Sequence, residues 1–573
     1  MKNKPVVLFS LLLTVCLSSC RISYLKTNTM TSDVYSLFGG KQNNNKTISY
    51  EVVEGKELLP YFSMKTYLSL YDKYLKDGYH ISIEESASES DVYVTNPDNQ
   101  YLFIAGINVG SQSVVANGDF SEAFINSKDY SKSSLYVGNV TTYEVASKPV
   151  SVKTLYYKNM GFSTIRKGGV NYFPLSLLEC VFSSSCGVHL FFNYERFVQY
   201  MDYEELTGTT YQVNGEATTA FKEMKNYIKS NMPSMPLYLR EDRRASFLYT
   251  LENQYGLKYT RNISSMRKYL ESQSFFADFL SDDVYKRNEA YYKTFALLDD
   301  GHTSIRDMAD FPWLAGEYNQ YGTKMMRIIS VRQQLSTHRT LAPGDVYYST
   351  DEKLAFLTFD SFSFAQNAYQ EDGKTLKTDL SDYHSVNYDT FFYVAAKLEE
   401  IKNKGEVEDV VIDISTNGGG TVGIMTKLVT LLAKHNTSDA YLKTDVTDMV
   451  QKMTTKVDTN GDGVYNDADV YGNCGFKFHI LTSEFSFSCG NAYPFYLKKN
   501  GIASIIGVKS GGGECAVSES YLPSGEHFYH SGNLHIGWCV DGHFEGDEAG
   551  VEVDTAIEYE DFYNLNKLQT LIN

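Results

Sequence analysis

Apolar and polar positions along the chain follow three regimes. From 49 to 205, short apolar runs alternate with polar residues and are cut by Gly, Asn and Ser, a period-two pattern that predicts a β-rich region. Within it, Leu59-Pro60-Tyr61-Phe62-Ser63-Met64 leads into a helical stretch, and Gly169-Val170-Asn171-Tyr172-Phe173-Pro174-Leu175 leads into another. Each reads as a hairpin strand feeding a short helix. From 216 to 305 the spacing turns helical, with breaks at Pro233 and Pro236, and the last helix runs through Tyr291, Phe295 and Leu298 to Asp299-Asp300-Gly301-His302. From 344 to 573, strands and helices alternate. Strands are predicted at 353–359, 407–414, 476–481 and 502–508, and helices at 387–404, 422–434 and 489–500, which is an α/β core.

The first twenty residues differ from all of these. Lys2 and Lys4 precede an apolar stretch at 6–17, too short for an ordinary membrane-spanning helix, and the segment closes on Leu17-Ser18-Ser19-Cys20. That ending resembles the lipobox of bacterial lipoproteins. The resemblance implies a signal peptide at 1–20, lipidation of Cys20, and an extracytoplasmic chain anchored by lipid to a bacterial membrane. A plain secretory signal with an incidental cysteine is the alternative. Residues 21–48, polar and ending in Lys41-Gln42-Asn43-Asn44-Asn45-Lys46, read as a tether.

Composition narrows the class. The 573 residues allow about three to five domains. A formal charge of −18 with no long basic run excludes nucleic acid as the main partner. The 46 Tyr and 33 Phe exclude a disordered chain. Six cysteines beyond the leader are too few for a disulfide scaffold; Cys180–Cys186 and Cys515–Cys539 are the pairs guessed for any bridges.

Three short motifs carry chemistry. A buried strand ends in Ile414-Ser415-Thr416-Asn417-Gly418-Gly419-Gly420, where glycines let backbone N–H groups face a ligand. No Lys follows, so this is not a phosphate loop; a tight strand–helix turn is the plain alternative. A second strand feeds a helix through Ser486-Phe487-Ser488-Cys489-Gly490, with Ser488 placed against N-terminal amides that stabilise an oxyanion, or else serving only as an N-cap. The third motif is Asp300-Gly301-His302-Thr303, where His302 is either a general base or a structural turn residue.

As an ordered set, the three motifs resemble serine peptidase family 41, the C-terminal processing peptidases and tricorn-core proteases, over about 216–573. The resemblance implies a multidomain α+β protein: a β-rich N-terminal region, a helical cap, and a ClpP/crotonase-like α/β catalytic core of the tail-specific protease type. It implies a serine-type peptidase acting on peptide or protein substrates. Ser488 would be the nucleophile, His302 its base, and Gly418, Gly419 and Cys489 the oxyanion-hole donors. Glycines occupy the place of the lysine used by one branch, and Lys509 falls too early, so the chain resembles the tricorn-like branch. That branch has a carboxylate before a G-V-x-x-D segment; Glu548 is the choice here, with Asp547 and Glu545 as rivals. The pattern often has Ser before the His, where this chain has Gly301. Cys489 as a thiol nucleophile is a minor rival. About 40 residues between His302 and the next core strand leave too little room for a PDZ domain.

One insertion stands apart. Asp458, Asn460, Asp462, Asn466 and Asp469 put side-chain oxygens at positions 1, 3, 5, 9 and 12 of an EF-hand or dockerin-like loop, with Gly463 at 6 and the Val464 carbonyl at 7. This spacing predicts a structural Ca2+, with an acidic, glycine-rich surface loop as the plain alternative; no organic cofactor is expected. Two other classes are weighed against the peptidase. One is a catalytically inactive peptide- or ligand-binding lipoprotein on the same fold. The other is a carbohydrate-adhesion protein, which lacks a carboxylate-pair motif.

Overall fold

The computed structural model describes residues 25–573 except 39–40, 117–122, 125–131, 148–153, 184–187, 193–196, 202–233, 259, 306–319, 447 and 524–526. The leader with Cys20, Cys186, and the start of the predicted cap at 216–233 lie outside the described residues.

Two sheets form the N-terminal region. The first has seven strands in the order β10 (Ile165–Lys167), β11 (Val170–Pro174), β3 (Lys56–Ser63), β2 (Lys41–Val53), β1 (Thr27–Phe38), β13 (Phe197–Met201) and β12 (Val188–Phe192). The stretch 21–48 is therefore not simply a tether: most of it is strand, paired in register from Thr27↔Val53 to Phe38↔Lys41. Polar composition conceals these strands because β1 and β2 pair along their length with each other and take β13 and β3, from farther along the chain, as their outer neighbours. The sequence echo is structural. β3 runs into helix α1 (Met64–Leu68) and β11 into helix α2 (Leu175–Leu178), and the two strands pair with each other, Phe62↔Phe173. The second sheet is β4 (His80–Glu85), β5 (Glu89–Thr95), β6 (Tyr101–Asn108), β7 (Ser113–Ala116) and β9 (Thr154–Leu155).

The cap contributes helices α3 (Leu237–Gln254), α4 (Met266–Glu271) and α5 (Val284–Leu298). Asp283 caps α5 by accepting from the Tyr285 N–H, and Asp299 ends it at φ 45°. One apolar cluster runs from the N-terminal sheets through Phe247, Tyr291 and Phe295 of the cap to Phe528 of the core. Most of the largest fully buried side chains in it are tyrosines, including Tyr67, Tyr71, Tyr249 and Tyr255, so part of the Tyr load is core.

The C-terminal half is built on a six-stranded sheet, β15 (Tyr347–Tyr348), β16 (Leu354–Thr358), β17 (Asp409–Asp413), β20 (Lys477–Thr482), β21 (Ala503–Gly507) and β25 (Thr555–Ala556), parallel from β16 onward. Helices α7 (Thr390–Lys404), α8 (Val422–Leu431) and α9 (Cys489–Lys499) pack with one apolar cluster. Residues of α6 (Thr323–His338) and α10 (Leu565–Ile572) join another, built around Phe356, Val411 and Leu481. A sheet buried on both faces explains why every residue of β16 and β17 is buried, and why these strands read as continuous apolar runs.

A further sheet joins all three regions. Its path is β14 (Ser304–Ile305), β23 (His527–Val540), β18 (Ser438–Thr444), β19 (Val450–Val457) and β8 (Asn139–Ser147), with β22 (Cys515–Tyr521) and β24 (His543–Gly546) also on β23. The 49–205 region is thus not self-contained: β8 pairs with β19 of the core. Beside it, the buried Lys427 donates to the Ser134 and Val137 carbonyls at 2.6 and 2.8 Å, fastening that segment to α8. Cys180, Cys515 and Cys539 are free thiols, so neither guessed bridge forms.

Candidate active site

Ser488 stands where the segment after β20 turns into α9, at φ 58° and ψ −126°. A non-glycine residue at positive φ is strained, and such strain persists only where surrounding bonds over-determine it. Here the Ser488 N–H donates to the Gly512 carbonyl at 2.9 Å, and its own carbonyl accepts from the Asn491 and Ala492 N–H groups, each at 2.8 Å. Its side chain makes no cap hydrogen bond, which removes the reading of Ser488 as a simple N-cap. The neighbouring serines are structural: Ser483 donates to the Ser415 carbonyl at 2.5 Å and Ser486 to that of Ile414 at 2.8 Å.

The glycine loop lies directly against this serine. A Cβ on Gly419, at φ 113°, would fall 2.7 Å from Ser488 Cβ and 3.1 Å from its Oγ. Among the predicted oxyanion donors, Gly419 N–H is engaged by Asn417 Oδ1 at 2.8 Å. The N–H groups of Gly418 and Cys489 donate to no protein acceptor among the described residues. Asn417, which the sequence reading left without a role, also accepts from Phe487 N–H through its carbonyl at 3.2 Å and so ties the loop to the serine turn.

His302 arrives from the cap. Its buried ring lies 4.8 Å, centroid to centroid, from that of Phe487, the residue before Ser488. The structure shows no hydrogen bond between His302 and Ser488; such bonds often tighten only when substrate binds. Gly301 has a steric reason: a Cβ there would meet the Phe487 ring at 2.5 Å. The turn is organised by Asp300, a second residue without an assigned role at the sequence level. Its carboxylate accepts from His302 N–H at 3.1 Å, Thr303 Oγ1 at 2.5 Å and Ser531 Oγ at 2.7 Å, pinning the turn to β23.

Of the three carboxylates weighed, Glu545 sits on the surface, paired with Lys499 at 2.6 Å. Asp547 is buried beside α9, where its backbone carbonyl accepts from Asn491 Nδ2 at 3.0 Å. Burial holds its carboxyl well above the ordinary range, reinforced by Glu514 and Glu548. Glu548 Oε2 accepts from the N–H groups of Gly513 and Glu514 at 3.1 and 3.2 Å. Its other oxygen is 3.6 Å from Lys324 Nζ. Burial raises its pKa, Lys324 opposes this, and Asp300 adds to it. Glu548 thus braces the strand segment whose Gly512 holds Ser488, on the side facing Asp300.

Residues 380–536, which include the glycine loop and Ser488, match the model of Peptidase family S41. The match spans about a quarter of the chain, so the likeness to peptidase family S41 is a likeness of this core. The match supports a serine-type peptidase, a hydrolase. Solved structures similar to it include a peptidase candidate from Parabacteroides merdae ATCC 43184, at 15% identity over 58% of this chain and 97% of that one, TM-score 0.39. Others are a lipoprotein from Streptococcus agalactiae, at 12% over 59% and 96%, TM-score 0.34, and a photosystem II D1 C-terminal processing protease, at 13% over 56% and 93%, TM-score 0.32. No curated protein matches the chain.

Within this S41 core, two rival chemistries lose support. Burial pushes the Cys489 thiol up to about 12, and Sγ donates to the Gly420 carbonyl at 3.1 Å, so it is no ready nucleophile. Lys509 is paired with Glu552 at 2.6 Å on the surface. The acidic insertion forms a loop of local turns in which Asp458 accepts from Gly461 and Gly463 N–H, Asn460 from Asp462, Asp462 from Val464, and Asn466 from Ala468. Asp469 is fully buried and accepts from Thr459 and Asn466 N–H at 3.1 Å each.

Proposed function

We propose that this S41 peptidase is a membrane-anchored, extracytoplasmic endopeptidase of the tricorn-like branch. It hydrolyses peptide bonds through an acyl-enzyme on Ser488. The observation that carries this reading is Ser488 itself: an uncapped hydroxyl on a residue held at φ 58°, packed against the Gly418-Gly419-Gly420 loop, with a histidine-bearing turn beside Phe487.

In the first half-reaction, His302 takes the Ser488 Oγ proton while Oγ bonds to the scissile carbonyl carbon. The oxyanion forms against the N–H groups of Cys489 and Gly418. The C–N bond breaks as the imidazolium returns its proton to the leaving amine. In the second half, water gives a proton to His302 as it attacks the ester carbon; the C–Oγ bond then breaks, the imidazolium returns that proton to Ser488 Oγ, and the acid is released. Asp300 and Glu548 are positioning residues here: Asp300 orients the base turn, and Glu548 braces the segment that holds Ser488 N–H.

Two extensions belong to the same reading. The 458–469 loop would hold a structural Ca2+ through Asp458, Asn460, Asp462, Asn466, Asp469 and the Val464 carbonyl; its oxygen-only donor set in chain order supports a hard cation. Lipidation at Cys20 would tether the chain. The test of the function is hydrolysis of a mixed peptide library by the wild type and by Ser488→Ala. The account expects a loss of about 10⁴–10⁶ in kcat with peptide binding retained. Binding without turnover in the wild type would instead support a non-catalytic ligand-binding lipoprotein.

A further inference from the structure

One group of donor side chains takes no part in the peptidase chemistry. Cys515 opens β22, directly after Glu514, and is registered opposite His535 on β23. All three residues are buried. Cys515 Sγ lies 3.6 Å from His535 Nδ1, and Glu514 Oε1 lies 2.8 Å from the same nitrogen. One ligand atom from each residue falls within 4.8 Å of the other two. Glu514 and His535 line a cavity of about 700 Å³, shared with Thr260, Asp445 and Glu548.

We propose that Glu514, Cys515 and His535 form a binding site for a thiophilic divalent cation of the Zn2+ class. Strand pairing explains why Cys515 and His535 are neighbours. It does not explain why a thiol, an imidazole nitrogen and a carboxylate converge on one point beside a cavity. Mixed sulfur, nitrogen and oxygen donors suit Zn2+ and its neighbours, whereas Ca2+ and Mg2+ take oxygen alone. Tetrahedral bonds of about 2.0–2.3 Å require donor separations of roughly 3.3–3.7 Å. The Sγ–Nδ1 pair already has that spacing, and Glu514 needs to retreat by only about half an ångström. Behind the ring, Asp445 Oδ2 lies 3.0 Å from His535 Nε2, the carboxylate-backed imidazole typical of metal ligands. The fourth position opens toward the cavity, where Thr260 Oγ1 stands 3.5 Å from Glu514 Oε1 and water has access. Binding converts the Cys515 thiol to a metal thiolate and releases its proton to solvent.

This site touches the catalytic strand segment. Glu514 N–H donates to Glu548 Oε2 and Glu548 N–H to Glu514 Oε2, both at 3.2 Å. A cation pulling on Glu514 therefore acts on the segment that holds Ser488 N–H. Only this coupling rests on the peptidase reading; cation binding does not.

The test is titration of the chelator-stripped full chain with Co2+ alone. The expected result is one Co2+ per chain with a near-ultraviolet thiolate-to-cobalt charge-transfer band, bleached by Zn2+. The band should vanish in Cys515→Ser, and Glu514→Gln should weaken Co2+ binding at least tenfold with the band retained at saturation. Near-ultraviolet circular dichroism identifies any variant that fails to fold, and the wild-type spectrum stands by itself. No charge-transfer band in the wild type, or the same band in folded Cys515→Ser, overturns the proposal whether or not the chain cleaves peptides.

Discussion

Ser488 and His302 reach the site from regions of opposite construction. Ser488 lies inside one α/β unit, between a fully paired parallel strand and the helix it starts, with its backbone N–H and carbonyl both bonded. His302 lies in a turn between α5 and the two-residue β14, and touches the core through β23 and the Phe487 ring. Ser488 is held by local backbone geometry, whose strain persists because the fold surrounds it. The His302 turn is placed by docking, through three hydrogen bonds to the Asp300 carboxylate. Under the proposed mechanism, a site divided this way would keep a rigid oxyanion hole while leaving room for substrate to bring His302 and Ser488 into contact.

Substitutions on the two sides should therefore fail differently. Among substitutions of supporting residues, the largest effect is expected from Gly419→Ala. Its Cβ meets Ser488 Cβ at 2.7 Å and the Phe487 carbonyl at 3.0 Å, on a backbone at φ 113°. Turnover should fall by about 10²–10³, comparable to losing an oxyanion donor, with little change in KM. Unaltered kcat would mean that the loop does not abut the reacting hydroxyl. Next, Asp300→Asn keeps the shape of the base turn but removes its charge-assisted bonds to Thr303 and Ser531. An effect of roughly 10–10² on kcat is expected, partly rescued by Asp300→Glu. If Asn and wild type show the same kcat, docking of the turn does not depend on this carboxylate.

The smallest effect lies farthest from Ser488. Glu179, under the N-terminal sheet, accepts from Tyr67 OH, Tyr71 OH and Leu190 N–H, and burial pushes its pKa up to about 8. Asp242 on α3 is raised to about 7 by the same cause. Both bind more protons folded than unfolded, so stability falls as pH rises from the unfolded values of 4.5 and 3.8 toward the folded ones, and then levels off. Tm should drop by several degrees between pH 5 and 8, and Glu179→Gln should flatten much of that slope. A Tm that rises over the same interval in the wild type would contradict this.

The catalytic sheet was the most legible part of the chain. Strands buried on both faces read as apolar runs, and 407–414 and 476–481 coincide closely with β17 and β20. Ser488 and the glycine loop were visible for the same reason, since both sit at ends of such strands. Less could be read where a residue's partner is distant in sequence. Asp300 acquires its role from Ser531, more than two hundred residues away, and β8 its sheet from β19. The 21–48 stretch hides its strands because part of their pairing comes from distant segments: β1 pairs with β13, more than 150 residues on, and β2 with β3. Cys515 and Cys539 differ in the same way: the bridge guessed between them does not form, and register places Cys515 opposite His535.

The central claim is that Ser488 is a nucleophile activated by His302. Its most direct test is the rate and position of labelling by a fluorophosphonate, followed by intact mass and peptide mapping. One adduct per chain on Ser488 is predicted, absent in Ser488→Ala and formed at least about 10²-fold more slowly in His302→Ala. An adduct on another residue, or an unchanged rate in His302→Ala, would contradict the account.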